Sequence, residues 1–326
     1  MSDDAAHHTA PPAPRPVRGG ERFSGRALRA HSAKAHRAGT IAIVGRPNVG
    51  KSTLLNRLVG QKVSITSRRP QTTRHRVVGI VTRPDAQLVF VDTPGLQTGH
   101  GTELNRRMNR AAAQAVEEVD VALVLVEALR FGTQDRRVLE LLPAGMPAVA
   151  AVNKIDLVKD KAALLPYLAR LSAAFPFRAI VPVSAKTGGQ TGELLDELAA
   201  LLPEAPPLYG EDEITDRSER FLAAELLREK LFRLLGEELP YAAAVEIERF
   251  DTQGGLRRIA ASVLVDRPGH KAIVIGKGGE KLKAIATQAR LDMEKLFGGK
   301  VFLEVWVKVK KGWMDDAALL KRLGYD

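Results

Sequence analysis

The chain has 326 residues, 45% of them hydrophobic and 27% charged, and it carries a formal net charge of +11 at pH 7. This length predicts two domains with ample core, and no apolar run approaches the roughly 20 residues that are needed to span a bilayer. The sequence has no cysteine, which excludes disulfides, thiol catalysis and cysteine-ligated zinc. Together with an N-terminus that lacks an apolar signal segment, this predicts a cytoplasmic protein. The excess of Lys and Arg indicates a polyanionic partner, and nucleic acid is a better match than a membrane.

After a polar tail, the first part of the chain alternates between predicted strands and helices. Residues 1–38 are rich in Pro, Ala, Arg and His without apolar periodicity, and they are predicted to form a disordered basic tail. Predicted strands follow at Thr40–Val44, Val77–Thr82, Leu88–Val91, Val121–Val126, Ala148–Val152 and Ile180–Val183. Predicted helices lie at Lys51–Val59, about Glu103–Val119, Asp135–Leu142, Ala162–Ala174 and Glu193–Leu202. This order predicts an α/β domain over residues 39–204, with a mostly parallel sheet covered by helices on both faces.

A phosphate-binding motif stands between the first predicted strand and the first predicted helix. It reads Gly45-Arg46-Pro47-Asn48-Val49-Gly50-Lys51-Ser52 and is followed by Thr53. The two glycines allow a tight turn whose N–H groups point at one anion, at the positive end of the helix. The Lys51 ammonium is expected to reach the outer phosphates, and the Ser52 hydroxyl to ligate Mg²⁺. A chance glycine-rich turn is the alternative, and the strand–loop–helix context argues against it.

Two further segments are expected to surround the outer phosphate. Asp92-Thr93-Pro94-Gly95 follows a predicted strand, so that a carboxylate there can hold the water shell of Mg²⁺ and the Gly95 N–H can approach a γ-phosphate. Between the two motifs lies the polar segment Gln71-Thr72-Thr73-Arg74-His75. A threonine of this segment can complete the Mg²⁺ shell only when a γ-phosphate is present, which predicts a switch loop. An ordinary surface loop is the alternative.

The base is predicted from Asn153-Lys154-Ile155-Asp156, which follows another strand. The Asp156 carboxylate can accept hydrogen bonds from N1–H and from the 2-amino group of guanine, whereas adenine would leave it unpaired. Lys154 can lie along the base plane and Asn153 can brace the loop. Ser184-Ala185-Lys186 follows the last strand of this domain, where a backbone N–H can meet the 6-oxo group of guanine.

Three stretches, G-R-P-N-V-G-K-S, S-R-R-P-Q-T-T-R-H-R and V-D-T-P-G-L, resemble the Era family of bacterial P-loop GTPases. The resemblance implies binding and hydrolysis of GTP with Mg²⁺, with Lys51 on the β- and γ-phosphates. It implies that Ser52 and Thr73 ligate Mg²⁺ and that Asp92 orders its waters, so that the expected catalytic residues are Lys51, Thr73, Asp92 and Gly95. Many GTPases have Gln after this glycine, but here the residue is Leu96, which predicts slow intrinsic hydrolysis.

Residues 205–218 are Pro-rich and then acidic, and are predicted to link to a second, smaller α+β domain over residues 219–326. The predicted order is a helix (Glu219–Leu235), two strands (Ala243–Arg249 and Arg257–Val265), a helix, a G-x-x-G loop, a helix and a strand (Val301–Val309). This order resembles a type II KH domain, which implies a clamp for single-stranded RNA, whereas a tight helix–helix turn is the alternative. The expected RNA contacts are Lys271, Ile273, Gly276, Lys277, Gly278, Gly279, Lys281 and Lys283.

The charge and aromatic content of this domain fit an RNA partner. Eleven Lys and Arg residues stand against four acids between positions 267 and 311. Val274 and Ile275 are expected to line an apolar base groove beside Ile273. Trp306 and Trp313 are candidates for base stacking, and packing within the sheet is an equal alternative for Trp306. No catalytic role is expected for His75 or His270.

The combined pattern predicts a GTPase whose nucleotide state controls RNA binding. Resemblance to the Era family further implies binding of small-subunit ribosomal RNA near its 3′ end during 30S assembly, and members of the family can associate with the inner face of the membrane. A monomer is expected. Two alternatives stay open. One is a constitutive RNA-binding protein whose nucleotide domain is a scaffold. The other is a GTPase that acts chiefly at the membrane or in division control.

Asn48 matches an asparagine that helps to hold K⁺ in some relatives, so we expect a potassium ion near this residue. Because K⁺ there would add positive charge beside the phosphates, GTP hydrolysis should be faster in K⁺ than in Na⁺. The measurement is the hydrolysis rate at equal ionic strength in the two salts. Equal rates would contradict the prediction.

Overall fold

The computed structural model describes residues 35–67, 69, 72–94, 102–236 and 238–325. Its strands are β1 (Arg37–Val44), β2 (Val77–Thr82), β3 (Ala86–Asp92), β4 (Val121–Glu127), β5 (Ala148–Asn153), β6 (Ala179–Pro182), β7 (Ala243–Gln253), β8 (Leu256–Val265) and β9 (Val301–Val309). Its α-helices are α1 (Lys51–Val59), α2 (Glu103–Glu117), α3 (Thr133–Glu140), α4 (Leu164–Ala174), α5 (Thr191–Leu201), α6 (Glu219–Leu234), α7 (Pro268–Ile275), α8 (Glu280–Phe297) and α9 (Ala317–Arg322).

The first six strands form one sheet in the order β2-β3-β1-β4-β5-β6, in which only β2 is antiparallel to its neighbour. Alternate side chains of each strand point to opposite faces. On β4, Leu123 and Leu125 enter the core under α1 and α5, while Val124 and Val126 enter the core under α4. The predicted mostly parallel sheet with two covered faces is therefore confirmed.

The first strand begins earlier than the sequence predicts. Arg37 and Ala38, which were assigned to the tail, pair with β3 as the start of β1. The Arg37 N–H donates to the Asp85 carbonyl at 3.1 Å, and the Ala38 N–H donates to the Pro203 carbonyl at 3.2 Å. The sequence shows little sign of this start, because Ala38 is buried but Arg37 is polar and only half-buried, like the residues of the tail. Residues 1–34 of the predicted tail lie outside the described residues.

The predicted linker runs along the edge of the first sheet. The Ile80 N–H on β2 donates to the Ile214 carbonyl at 2.9 Å. The Gln87 side-chain oxygen on β3 accepts from the N–H groups of Leu208 and Tyr209 at 2.7 and 2.9 Å. The segment thus satisfies the Ile80 N–H of the edge strand β2, which would otherwise be open to another chain.

The second sheet has the order β7-β8-β9, with β7 antiparallel and β9 parallel to β8. Helices α6, α7 and α8 cover one face through a core that includes Leu227, Val263 and Ile285. The sequence-based order of helix, two strands, two helices around a glycine-rich loop, and strand is confirmed.

The structure corrects the assignment of Trp313 as a base-stacking residue. Its side chain is fully buried and its indole N–H donates to the Ala242 carbonyl at 3.1 Å. It packs with Leu320 and Tyr325 against Leu104 and Met108 of α2. Trp313 therefore joins the C-terminal segment to the first domain, because its large apolar ring is buried at their contact.

Core packing of the first sheet gives a stability prediction. Leu123 is completely buried in the central strand β4, and Leu123→Ala should lower the free energy of unfolding by about 2–5 kcal/mol through lost burial and a residual cavity. Leu165→Ala is the matched control, because Leu165 is 74% exposed, and it should change stability by less than about 0.5 kcal/mol. Denaturant unfolding of both variants checks the difference. Equal losses would contradict the assignment of β4 to the core.

Candidate functional site

The loop between β1 and α1 is held in one shape by close packing. Gly50 has φ of +109°, and a Cβ atom there would lie 2.4 Å from the Asn153 side-chain nitrogen. That same amide nitrogen donates to the Val49 carbonyl at 2.8 Å. The loop therefore requires glycine at this position, and Asn153 at the end of β5 braces it.

Lys51 lies under the arch of this loop. Its Nζ donates to the carbonyls of Gly45 and Arg46 at 2.8 and 3.2 Å. Burial lowers the pKa of the Lys51 ammonium, the Asp92 carboxylate opposes this shift, and the Arg46 charge adds to it. A desolvated ammonium surrounded by neutral carbonyls is stabilised by an anionic ligand. The arrangement suits a bound phosphate.

Three oxygen-bearing side chains meet beside Lys51. The Ser52 hydroxyl donates to Asp92 Oδ2 at 2.8 Å and lies 3.0 Å from Thr73 Oγ1, which is 3.5 Å from the same carboxylate oxygen. Asp92 Oδ1 is buried and has no hydrogen-bond partner among the described residues. Burial raises the pKa of the Asp92 carboxyl, whereas the Lys51 charge and hydrogen bonds from Ser52, Ser64 and Thr73 act in the opposite direction.

This cluster has the chemistry of a Mg²⁺ site. Mg²⁺ prefers oxygen ligands and keeps several of its waters, and the orphaned carboxylate oxygen of Asp92 would accept a hydrogen bond from such a water. Ser52 and Thr73 are placed to ligate the ion, with Asp92 acting through water. Thr72 is not, because its hydroxyl pairs with Ser67 at 2.7 Å. The geometry thus separates the two adjacent threonines.

The candidate base pocket is built from the ends of β5 and β6. The Ser184 hydroxyl donates to Asp156 Oδ1 at 2.7 Å, which orients the carboxylate. The Asn153 side-chain oxygen accepts from the Ala185 N–H at 2.9 Å, so that the same amide braces both this segment and the phosphate loop. Lys186 follows in the same turn, and its carbonyl accepts from the Arg57 guanidinium at 2.5 Å.

Two acidic residues and a serine that the sequence pattern did not single out support the site. Glu127 Oε2 accepts from Lys154 Nζ at 2.9 Å and from Arg46 at 2.8 Å. Burial works to raise the pKa of the Glu127 carboxyl, but the hydrogen bond and charge of Lys154 and the charge of Arg46 lower it. Asp135 also faces Arg46 at 3.4 Å, and the Ser64 hydroxyl donates to Asp92 at 3.0 Å. Only Glu127 had a sequence signal, as the charged residue ending an apolar strand.

Thr93 and Pro94 continue from β3 towards the phosphate loop, and Thr93 lines the same cleft as Pro47, Asn48 and Thr53. The predicted γ-phosphate contact Gly95 lies outside the described residues, together with Leu96 and Gln71. The structure therefore describes the lysine, threonine and carboxylate of the expected catalytic group without the glycine N–H.

The glycine-rich loop of the second domain joins α7 to α8 as an exposed turn. Gly276, Gly278 and Gly279 have φ of +74°, +60° and +81°, and a Cβ at Gly276 would lie 2.7 Å from the Lys281 Cβ. Lys271, Lys277 and Lys283 are exposed around it, while Lys281 is half-buried. This combination of close backbone approach and exposed cations suits a sugar-phosphate chain.

The neighbouring apolar residues divide differently from the prediction. Ile273 is 48% exposed and Ile275 is half-buried, so both are accessible to a ligand. Val274 is fully buried in the core of the second domain. Its assignment to the base groove is wrong, because consecutive residues of a helix point in different directions and only one side of α7 faces outwards. Trp306 is 46% exposed on β9.

Comparison with known proteins identifies the family. Residues 40–154 match the family model described as a 50S ribosome-binding GTPase, and residues 238–314 match the KH domain model. GTPase Era of Nitrosomonas eutropha is 58% identical over 295 residues, which are 90% of this chain and 100% of that relative. GTPase Era of Chromobacterium violaceum is 58% identical over 88% of this chain and 97% of that relative. The chain belongs to the Era family of GTPases.

Solved Era structures share the whole described fold. Era of Aquifex aeolicus, as a variant bound to GDP·AlF4⁻, matches with a TM-score of 0.85 and 38% identity, covering 89% of this chain and 99% of that one. Era in complex with MgGDPNP and nucleotides 1506–1542 of 16S ribosomal RNA matches with a TM-score of 0.85 and 39% identity over the same shares. This Era-family chain is therefore a GTP hydrolase with a P-loop GTPase domain followed by a KH domain.

The candidate base pocket gives a specificity prediction for this Era-family member. Asp156→Asn replaces an acceptor by an amide that presents a donor to the guanine 2-amino group, so GTP affinity should fall by roughly 100-fold or more. Xanthosine triphosphate, which has an oxygen in place of that amino group, should gain affinity relative to GTP. Titrations of both nucleotides check the exchange, with the exposed Asp212→Asn as the control. Unchanged selectivity would contradict the assignment of Asp156.

Proposed function

We propose that this chain uses its nucleotide state to control binding of single-stranded ribosomal RNA, at the 3′ end of the small-subunit RNA, during assembly of the 30S subunit. One observation carries the proposal. Thr73 lies beside Ser52 in the candidate Mg²⁺ site, and the next residue in the same loop, Arg74, is hydrogen-bonded to the KH domain. A related Era protein was solved with MgGDPNP and a 16S ribosomal RNA segment together, which supports the choice of RNA.

In the nucleotide domain, this chain's residues act mainly by positioning and charge. Backbone N–H groups of the phosphate loop and Lys51 hold the β- and γ-phosphates, and Asp156 selects guanine. Ser52 and Thr73 would hold Mg²⁺, with Asp92 acting through water, and the ion would neutralise phosphate charge when it is bound. Because Leu96 has no hydrogen-bonding atom to orient the attacking water, intrinsic hydrolysis is slow.

In the KH domain, the loop Gly276–Gly279 receives the sugar-phosphate chain. The Lys277 ammonium contacts a phosphate. Lys271, Lys281 and Lys283 add positive charge around the loop, which attracts the RNA backbone whatever its base sequence. The exposed Ile273 side chain offers an apolar edge to the splayed bases. Sequence selection then depends on contacts to base edges in this groove.

The deciding experiment measures RNA affinity in the GTP-analogue, GDP and nucleotide-free states at one salt concentration. The probe is a short oligonucleotide that copies the small-subunit ribosomal RNA 3′ end, and a scrambled strand is the control. Tight, selective binding only with the analogue supports the proposal. Equal binding in all states would instead favour a constitutive RNA-binding protein with a scaffold nucleotide domain. No preference over the scrambled strand would remove the ribosomal target.

Three finer predictions belong to the same proposal: a cytoplasmic monomer, a potassium ion near Asn48, and peripheral association with the inner membrane. Within the ranges that the structure describes, no helix combines the length and apolarity required to cross a membrane. The domain boundaries at residues 204 and 219 also stay predictions, whereas β1 begins two residues before the predicted boundary at 39. Selective flotation with anionic liposomes, independent of RNA, would favour the alternative of a membrane-acting GTPase.

The RNA contacts give a mutational prediction. Lys277→Asp combined with Gly278→Asp should abolish RNA binding by like-charge repulsion, while basal GTP hydrolysis is retained. Gly298→Asp with Lys300→Asp is a matched control, because it makes the same charge change, and Gly298 has φ of +66° with an open Cβ position, as Gly278 does at +60°. RNA titration and GTP turnover of both double variants check the prediction. Equal RNA affinity of the two would place the RNA elsewhere.

A further inference from the structure

The KH domain bonds to both ends of the loop that carries the Mg²⁺-facing threonine. We define the switch loop as residues 60–76, of which 60–67, 69 and 72–76 are described. At its near end, Lys62 Nζ pairs with Glu229 Oε2 of α6 at 2.5 Å and with Asp292 of α8 at 2.8 Å. Glu229 Oε1 accepts from the Thr66 N–H at 3.0 Å. Because the Glu229 side chain is completely buried, the near end is held by a desolvated carboxylate.

At the far end, Arg74 places its guanidinium on the KH backbone. Nη1 donates to the Ala243 carbonyl at 3.0 Å, and Nη2 donates to the carbonyls of Tyr241 and Pro240 at 2.8 and 3.2 Å. Its guanidinium carbon also lies 5.7 Å from the centroid of the Phe232 ring. Arg74 is only 4% exposed. These carbonyls precede and begin β7, so they form a fixed edge of the KH domain.

Because the Arg74 guanidinium is buried away from water, it needs hydrogen-bond partners from the protein at this contact. Burial lowers the pKa of the Arg74 guanidinium, the Arg228 charge adds to the shift, and Tyr325 and Glu225 oppose it. The side chain nevertheless stays charged, as arginine does in proteins. The forked N–H groups of the guanidinium regain hydrogen bonds in place of water from the KH carbonyl oxygens. These carbonyls are in reach only when the KH domain is docked. The position of Arg74 therefore depends on the KH backbone.

His75 continues the same contact with the C-terminal segment. Its ring stacks on Tyr325 at a centroid distance of 4.2 Å and meets Phe221 edge-on at 5.1 Å. Its Nδ1 lies 3.1 Å from the Gly324 carbonyl. Burial lowers the pKa of His75 to about 4, against the opposing effect of Glu225, so the ring is neutral at pH 7 and donates from Nδ1. Two consecutive residues of the switch loop are thus enclosed by KH-domain groups.

Thr73 is directly bonded to Arg74, and consecutive Cα atoms across a trans peptide are about 3.8 Å apart. The Thr73 hydroxyl lies 3.0 Å from Ser52 Oγ on one side, while Arg74 is fixed to KH carbonyls on the other. We propose that Arg74 is a positioning residue for Thr73, and that the KH backbone at Pro240–Ala243 is thereby a structural part of the Mg²⁺–GTP site. The proposal rests on the assignment of Thr73 to Mg²⁺ made under the proposed function.

The proposal predicts that removing the Arg74 contact lowers the affinity for GTP analogues more than the affinity for GDP. A ligand that depends on Thr73 loses affinity when the KH anchor is removed, and a ligand that does not depend on it keeps its affinity. GTP analogues with Mg²⁺ belong to the first class and GDP to the second. Because coupling between two binding sites is reciprocal, RNA that shifts the Pro240–Ala243 edge must change GTP-analogue affinity by the factor by which the analogue changes RNA affinity.

The test compares Arg74→Gln with Arg76→Gln in the full chain. Arg76 is exposed, lies in the same loop and undergoes the same change of charge. Arg74→Gln should lower GDPNP affinity by about 10-fold, within the usual range of coupling between sites, and raise the Mg²⁺ concentration needed for half-maximal GDPNP binding. Its GDP affinity should stay within about twofold of the unaltered chain, because GDP does not use Thr73. Arg76→Gln should change none of these.

Two further variants keep the outcome decisive. Arg74→Lys preserves the charge but not the fork, so it should show a smaller selective loss and still fold if Arg74→Gln does not. Equal losses of GDPNP and GDP affinity in the Arg74 variants, or no loss, would overturn the proposal. Thr73→Ala separates it from the proposed function: if Thr73→Ala lowers GDPNP affinity and the Arg74 variants do not, only the positioning role fails. If Thr73→Ala has no effect, the Mg²⁺ assignment fails as well.

Discussion

The arrangement of the candidate nucleotide site depends on the hydrogen bonds that the buried Asp92 carboxylate accepts. Its Oδ2 accepts hydrogen bonds from the hydroxyls of Ser52, Ser64 and Thr73, which come from the start of α1 and from two parts of the switch loop. A carboxylate removed from water needs such partners or a cation, since burial alone raises the pKa of Asp92. Asp92 therefore gathers three segments at one point, beside Lys51.

The parallel sheet explains why these segments meet at all. The carboxyl ends of parallel strands lie on one edge, so residues that are far apart in the sequence line a single cleft. Asn153 makes the arrangement rigid, because its side chain bonds to the Val49 carbonyl and to the Ala185 N–H at once. The predicted phosphate loop and the predicted base pocket are thus joined through one amide at the end of β5.

The KH domain extends this linkage beyond the nucleotide domain. Arg74 and Glu229 hold opposite ends of the switch loop against α6 and the edge that precedes β7, and the two anchors differ in character. Glu229 is part of a cluster of charges with Lys62, Lys230 and Asp292, whereas Arg74 rests on neutral carbonyls. The Arg74 contact requires the folded KH backbone, because its acceptors are backbone carbonyls. The Glu229 contact depends on side chains of opposite charge. Both ends of the switch loop therefore rest on the KH domain.

The sequence alone determined the two domains, the strand order along the chain and the residues of the nucleotide motifs. These follow from local rules: apolar strands between helices, glycines where backbone approaches a ligand, and hydroxyl and carboxyl groups at strand ends. Only the tertiary structure showed that Val274 and Trp313 are buried and brought Glu127 to Lys154 and Arg46. It placed the Thr73 hydroxyl beside Ser52, whereas the Thr72 hydroxyl pairs with Ser67. It also turned Arg74 and His75 from residues of a polar loop into a buried contact with residues about 170 and 250 positions away. Such contacts leave no periodic trace in the sequence, because they depend on how two finished domains pack and not on the spacing of neighbours along the chain.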